Sequence, residues 1–379
     1  NAYALYGSAD VSNMAILGEE QYENSADGFA QAAILIQNKG DGTVYGLYND
    51  NASGLAKTTN ETTRFGESWI GITNEGAGNA YGIYSNGGEI SNSGTIEMAS
   101  SGSNGKMYGI YGADRTLIQN SGTIEITAAT QTEIYGIYAK ANSQIVNSGN
   151  IKIQNGDGMT AGVYIDSSSG GSFKNSGTIE LSGTTGNAYG VYAKNADKDN
   201  RLIIVNDTDG VITVDGNSST SYGIFAEGYV TVSNLGTIKL KGDTSGLVGE
   251  NANTGNYIHL GTNAVFSNSG LVTSSLSILN VNTFGGTFEM AKGSVLRADT
   301  IAGNIQVASN LTAAGFDSVY TAQDAIQGLN GGINLKSASY MFDASLRSTS
   351  ENTHDIVMTR RSFNDLVGNK SLAGFLETN

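Results

Sequence analysis

The chain has 379 residues, 39% of them hydrophobic and only 15% charged, with 52 glycines, 19 tyrosines, no proline and no cysteine. A formal net charge of −15 surrounds it with a field that repels polyanions, which argues against nucleic acid or an anionic lipid surface as a partner. Without cysteine there are no disulfides and no thiol chemistry, and the lack of proline suits stacked strands in which almost every backbone N–H is used by a neighbour. There is no run of about 18 apolar residues, so no segment reads as a spanning helix.

In chain order, the sequence opens at Asn1 in the middle of a repeat and without the features of a leader, so a signal peptide and a distal N-terminal part are expected upstream. Residues 14–37 hold Ala- and Gln-rich stretches with no assignable structure, and residues 49–73 form the widest expected break in the pattern. That break carries Arg64, Phe65 and the only tryptophan, Trp69. Trp and Arg are enriched in binding hot spots, while the competing reading packs Trp69 under its own loop.

A tyrosine phrase then recurs as Tyr81-Gly82-Ile83-Tyr84, Tyr108-Gly109-Ile110-Tyr111, Tyr135-Gly136-Ile137-Tyr138, Ala161-Gly162-Val163-Tyr164, Tyr189-Gly190-Val191-Tyr192 and Tyr222-Gly223-Ile224-Phe225, with Tyr45-Gly46-Leu47-Tyr48 as an outlier. Most spacings are 26 to 28 residues. A second phrase, Asn92-Ser93-Gly94-Thr95-Ile96, runs out of phase with it and returns at Asn120, Asn147, Asn175, Asn234 and, loosely, Asn268. Two locked repeats of this length indicate a solenoid.

Each period divides into three short strands, as one coil of a right-handed parallel β-helix requires. Within residues 108–134 these are 108–112, 117–120 and 123–127. Ile124 and Ile126 alternate with Thr123, Glu125 and Thr127, so one face enters the core and the charge stays outside. The second strand places Ile90, Ile118, Ile145, Phe173, Ile204 and Val232 two residues before an Asn, which therefore points inward and can form an amide ladder from coil to coil. The Ser-Gly that follows is expected to supply positive φ at the bend. Strict alternation through the tyrosine strand puts Tyr81 and Ile83 inside, and Gly82 and Tyr84 outside with Lys140, Asp166, Lys194 and Glu227. The outer tyrosines then form a stack that is either structural or also a binding surface. Some 10 to 12 coils, at about 4.8 Å each, predict a rod roughly 50 to 60 Å long.

Chemistry-bearing clusters are sparse. His259 and His354 are the only histidines and lie nearly 100 residues apart, so no histidine metal cluster is expected. Asp207-Thr208-Asp209-Gly210 matches half a calcium loop without its distal ligands, and residues 194–201, with Asp197, Lys198 and Asp199, read as a solvated turn. No nucleophile elbow, phosphate loop or zinc motif is present.

The repeats are assigned to residues 1–272. Beyond them both phrases are lost, and residues 273–345 read as a β cap. Residues 346–379 read as a linker, with Phe363, Leu366, Val367, Leu372, Phe375 and Leu376 at helical spacing. The run Ile356-Val357-Met358-Thr359-Arg360-Arg361-Ser362-Phe363-Asn364-Asp365-Leu366-Val367, followed by Asn369-Lys370-Ser371-Leu372-Ala373, resembles the segment before the translocation barrel in large fusobacterial autotransporters. The Asn-Ser-Gly-Thr-Ile and Tyr-Gly-Ile-Tyr rungs are similar to the passengers of the same group.

This resemblance implies a β-helical passenger, an autochaperone-like cap, a linker helix leading to a barrel, and display at the bacterial cell surface or release after cleavage. Relatives of this kind act as adhesins toward host cells and partner bacteria. The expectation is therefore an adhesin or adhesin stalk that binds surface glycans or proteins, without cofactor or catalytic residues. The alternative is a β-helical lyase or hydrolase acting on polysaccharide, which needs acids and bases converging in a cleft.

Overall fold

The computed structural model describes residues 2–7, 11–14, 32–51, 55–63, 66–101, 105–128, 133–216, 221–242, 256–260, 263–268, 271–274, 278–284, 287–290, 295–307, 319–337 and 339–362. Every regular element among them is a β-strand. The first coil is β1 (Ala2–Gly7), β2 (Val11–Met14) and β3 (Ala32–Asn38); the second is β4 (Val44–Asn49), β5 (Lys57–Glu61) and β6 (Ser68–Asn74). The third is β7 (Ala80–Ser85), β8 (Gly88–Asn92) and β9 (Thr95–Ser100); the fourth is β10 (Lys106–Gly112), β11 (Thr116–Asn120) and β12 (Thr123–Ala128). The fifth is β13 (Glu133–Ala139), β14 (Gln144–Asn147) and β15 (Asn150–Gln154); the sixth is β16 (Thr160–Ser167), β17 (Gly171–Asn175) and β18 (Thr178–Thr184). The seventh is β19 (Ala188–Asn195), β20 (Leu202–Asn206) and β21 (Val211–Gly216); the eighth is β22 (Ser221–Gly228), β23 (Val230–Asn234) and β24 (Thr237–Gly242). The ninth is β25 (Asn256–Leu260), β26 (Val265–Asn268) and β27 (Leu271–Ser274).

Each strand pairs in parallel with its equivalent one coil away, giving three sheets: a first led by β1, a second led by β2 and a third led by β3. The first two contain nine strands each. This is the parallel β-helix expected from the two repeats. The expected interruption at residues 49–73 instead contains two ordinary rungs, β5 and β6, and the outlying Tyr45 phrase is the first-sheet strand of the same coil. What differs in that coil is loop length, which a solenoid absorbs without disturbing strand register. In the first expected insertion, residues 32–38 are likewise a rung, and residues 15–31 lie outside the described residues.

Inward columns build one continuous core. Ile70, Ile96, Ile124, Ile151, Ile179, Ile212 and Ile238 of the third sheet are fully buried, as are Ile90, Ile118 and Val232 of the second. Each such side chain contributes about 2–3 kcal/mol by leaving water. Charges on the outer faces pair across coils, as in Lys152–Glu125 at 2.8 Å and Lys57–Glu89 at 3.1 Å. Half-exposed pairs of this kind add about 0–1 kcal/mol each.

The asparagines face inward as expected and form an amide ladder. Nδ2 of Asn13, Asn60, Asn92, Asn120, Asn147, Asn175 and Asn206 each donates to Oδ1 of the next member, at 2.7 to 2.9 Å, ending at Asn234. The glycine two residues further on has a different role from the one expected. Gly94, Gly122, Gly149 and Gly177 are not among the residues at positive φ. A Cβ at Gly122, Gly149 or Gly177 would instead run into the carbonyl oxygen of the equivalent glycine in the preceding coil. Close backbone approach, not left-handed conformation, selects glycine here.

Past the ninth coil the three-sheet pattern changes. β28 (Ile278–Phe284) and β29 (Thr287–Met290) both pair with the long β30 (Val295–Val307), which pairs with β31 (Val319–Ser337). The other edge of β31 runs antiparallel to β33 (Thr353–Arg360), and β33 to β32 (Phe342–Ser350). Nine three-stranded coils and these layers thus replace the expected 10 to 12 uniform coils. His354, 2% exposed, bridges the cap: Nε2 donates to the Gly328 carbonyl at 3.1 Å and Nδ1 faces the Ser348 hydroxyl at 3.0 Å. A carbonyl can only accept, so this geometry assigns the proton to Nε2. The helix expected over 362–377 falls, apart from Ser362, outside the described residues.

Candidate functional site: the tyrosine face

The outer side of the first sheet is unlike the other two. Along β7, Ala80 is buried, Tyr81 half-buried, Gly82 and Ile83 both buried, Tyr84 half-buried and Ser85 buried. Alternation therefore breaks at the glycine, and Tyr81 and Tyr84 emerge on the same outer face. This corrects the expectation that Tyr81 points inward and Gly82 outward. Register agrees, because Tyr81 pairs with Tyr108 and Ile83 with Ile110 while the glycines between them are skipped. The cause is steric: a Cβ on Gly82 would lie 2.6 Å from Ile96 Cγ2 across the core and 2.6 Å from the Gly109 carbonyl oxygen. Gly109 and Gly136 meet Ile124 and Ile151 in the same way, so a glycine column in the first sheet seats an isoleucine column from the third.

Two aromatic columns result. The inner one passes through Tyr45, Tyr81, Tyr108 and Tyr135, stacked with ring centroids 4.6 to 5.1 Å apart, and resumes at Tyr189 and Tyr222, 5.0 Å apart. The outer one is unbroken through Tyr6, Tyr48, Tyr84, Tyr111, Tyr138, Tyr164, Tyr192 and Phe225, at 4.6 to 5.3 Å. Within a coil the two rings meet edge to face, as in Tyr81–Tyr84 at 5.5 Å and 88°. Ala161 interrupts the inner column, and Met159, two residues earlier, packs against that gap. Its sulfur lies 3.8 Å from the Tyr135 hydroxyl, which also donates to Glu133 Oε2 at 2.8 Å.

Stacking covers the ring faces with other rings, so the surface presents ring edges and hydroxyls. Sugars that bind by lying on an aromatic face find few open faces here. Burial raises the tyrosine pKa values, with neighbouring phenols adding to the effect: Tyr81 and Tyr189 are pushed up to about 12, and Tyr108 and Tyr135 further still. Burial opposes the charge of Glu133, yet hydrogen bonds from Lys106 and Tyr135 outweigh it and hold its carboxyl below the usual range. Along one margin of the face stand Lys140, Asp166, Lys194 and Glu227; the first three are exposed, and Glu227 accepts a long bond of 3.5 Å from the Tyr192 hydroxyl.

Trp69 lies elsewhere, half-buried on the outer side of β6 in the third sheet. A Cβ on Gly71 would sit 2.8 Å from Leu35 Cδ2 and 3.4 Å from Trp69 Cζ2, so ring and leucine flank a bare glycine. Leu35 is 68% exposed, while the indole Nε1 is shielded and has no hydrogen-bond partner among the described residues. Arg64 and Phe65 lie outside the described residues, as does the side chain of His259. Asp207 is engaged by Lys174 at 2.8 Å, and Asp197 holds its own turn by accepting from the Asp199 and Asn200 backbone N–H groups. Among the described residues no three His, Cys, Asp or Glu side chains group as metal ligands. The chain matches no protein-family model, no curated protein and no solved structure.

Proposed function

We propose that this chain belongs to the passenger of a bacterial autotransporter and serves at the cell surface as an adhesin or adhesin stalk. The observation that carries this reading is the disposition of charge on the solenoid. Four acids on the outer faces pair with lysines on neighbouring coils, Lys57–Glu89, Lys106–Glu133, Lys152–Glu125 and Lys174–Asp207, and so are spread along the rod. An enzyme that cleaves polysaccharide needs such groups to converge. The rod offers rigid surfaces instead, and the exposed Leu35 beside the half-buried Trp69 ring has the apolar and aromatic composition of a contact site. Its partners in this reading are glycans or proteins on host cells or neighbouring bacteria, and the chain's own outer-membrane barrel anchors it.

The test is binding of the purified chain to epithelial cells and to partner bacteria, with free sugars and free arginine as competitors. Saturable binding that is competed, and that falls in Trp69→Ala, supports direct adhesion. Lack of binding by a folded chain assigns it to the stalk. Depolymerisation of a polysaccharide by the purified chain would overturn both in favour of a degradative enzyme.

A further inference from the structure

We propose that the tyrosine face is a self-association surface on which two copies of this chain pack face to face, with their solenoid axes antiparallel. The inference goes beyond adhesion and does not depend on it.

Shape is the first argument. Ring stacking leaves a flat, rigid face running the length of the first sheet. With strands about 20 Å long and coils about 4.8 Å apart, the six coils from the fourth to the ninth that overlap in the antiparallel arrangement give a footprint of about 600 Å², the size of a weak and reversible interface. Aromatic edges and tyrosine hydroxyls are what such interfaces favour. A second copy also carries the same coil-to-coil repeat, so ring edges of the two faces stay in step over the whole contact. A partner with a different repeat would fall out of step.

Charge order is the second argument, and it selects the arrangement. Ala139 pairs with Ile165, which sets Lys140 beside Asp166; Asp166 pairs with Lys194, and Lys194 with Glu227. The margin thus reads plus, minus, plus, minus over four coils. Lys140, Asp166 and Lys194 make no ion pair within the chain among the described residues. A two-fold axis along the strand direction reverses the solenoid axis and lays this margin against its own reversed copy. Lys140 then meets the partner's Glu227 and Asp166 meets the partner's Lys194, each pair occurring twice. Every charge faces its opposite, as an isologous contact requires. A two-fold axis along the rod would set Lys140 opposite the partner's Glu133, which Lys106 already engages, and Asp166 and Lys194 opposite the uncharged positions Met159 and Asn187 on the other margin.

The experiment is sedimentation of the purified 379-residue chain over a range of concentrations at physiological salt. A concentration-dependent dimer is expected. Lys194→Glu sets like charges against the partner's Asp166 at two places and is expected to weaken association about tenfold or more. The swap Asp166→Lys with Lys194→Glu restores opposite pairing and is expected to recover it. Both residues are exposed, so circular dichroism and melting temperature should match the parent. A chain that stays monomeric at all concentrations would overturn the proposal. So would a dimer indifferent to Lys194→Glu, or one that the double swap fails to restore.

Discussion

Asn120 donates from Nδ2 to Oδ1 of Asn147, one coil away, at 2.7 Å, and both side chains are buried. Asn147 passes the bond on to Asn175 at 2.8 Å and also donates to the Gly149 carbonyl at 3.3 Å. A side-chain amide carries a donor and an acceptor on opposite sides and can therefore bond in both directions along such a column, so the ladder satisfies buried polar groups that the bend would otherwise strand.

Asn147→Ala removes both partners of one rung. It leaves the Asn120 amide N–H and the Asn175 amide oxygen without their ladder contacts in a site closed to water. The expected loss is about 2–4 kcal/mol, read as a fall in thermal or denaturant midpoint. Asn147→Asp, which keeps the acceptor but brings a charge into the core, should be at least as damaging.

Glycine in the tyrosine strand is held by sterics alone. A Cβ at Gly136 would lie 2.5 Å from Ile151 Cγ2 and 2.6 Å from the Gly162 carbonyl oxygen, whereas at Gly40 nothing lies within 4 Å. Gly136→Ala is expected to destabilise by about 1–3 kcal/mol and Gly40→Ala by less than about 0.5 kcal/mol. Parallel melts of the two variants check this, and equal behaviour would contradict the seating of isoleucine over glycine.

Alkaline pH should dismantle the aromatic columns. The folded pKa of Tyr81 and Tyr189 is about 12, above the ordinary tyrosine value of about 10. The neutral phenol is therefore favoured by folding. Its contribution is complete below the ordinary value and is lost as pH rises from there through the folded value. Phenolate absorbance followed together with circular dichroism should show late-titrating tyrosines ionising as the β signal falls. Ordinary titration of all the tyrosines with the β signal intact would refute the stacked, buried columns.

Much of this architecture is legible in the amino-acid sequence, for a physical reason. In the second and third strands of the coil at residues 116–128 period two holds throughout, so Ile124, Ile126 and Asn120 sort correctly to the inside from alternation alone. The tyrosine strand defeats the same rule because a glycine lets two consecutive residues face inward, and period two cannot be carried across it. Aromatics three apart around a glycine are the signal of that break. The rungs Lys57–Glu61 and Ser68–Asn74 are hidden for another reason: their loops are long and their wording is unlike the repeat, though Asn60 holds its place in the ladder. Trp69 reads as a loop residue only while that rung is missed. The margin Lys140, Asp166, Lys194, Glu227 is visible as outward charge, but its order acquires meaning only once strand register sets the four side by side.

Outward projection of both tyrosine columns underlies the candidate site and the self-association alike, and thermal unfolding of three lysine variants tests it directly. Tyr84→Lys is outward under either parity, and Ile83→Lys places an ammonium in the core, at a cost of several kcal/mol. If both columns lie on the outer side of the sheet, Tyr81→Lys melts like Tyr84→Lys, its stem lying along the sheet and its charge reaching solvent. If Tyr81→Lys instead fails to fold as Ile83→Lys does, that tyrosine points inward and the account of the face is wrong.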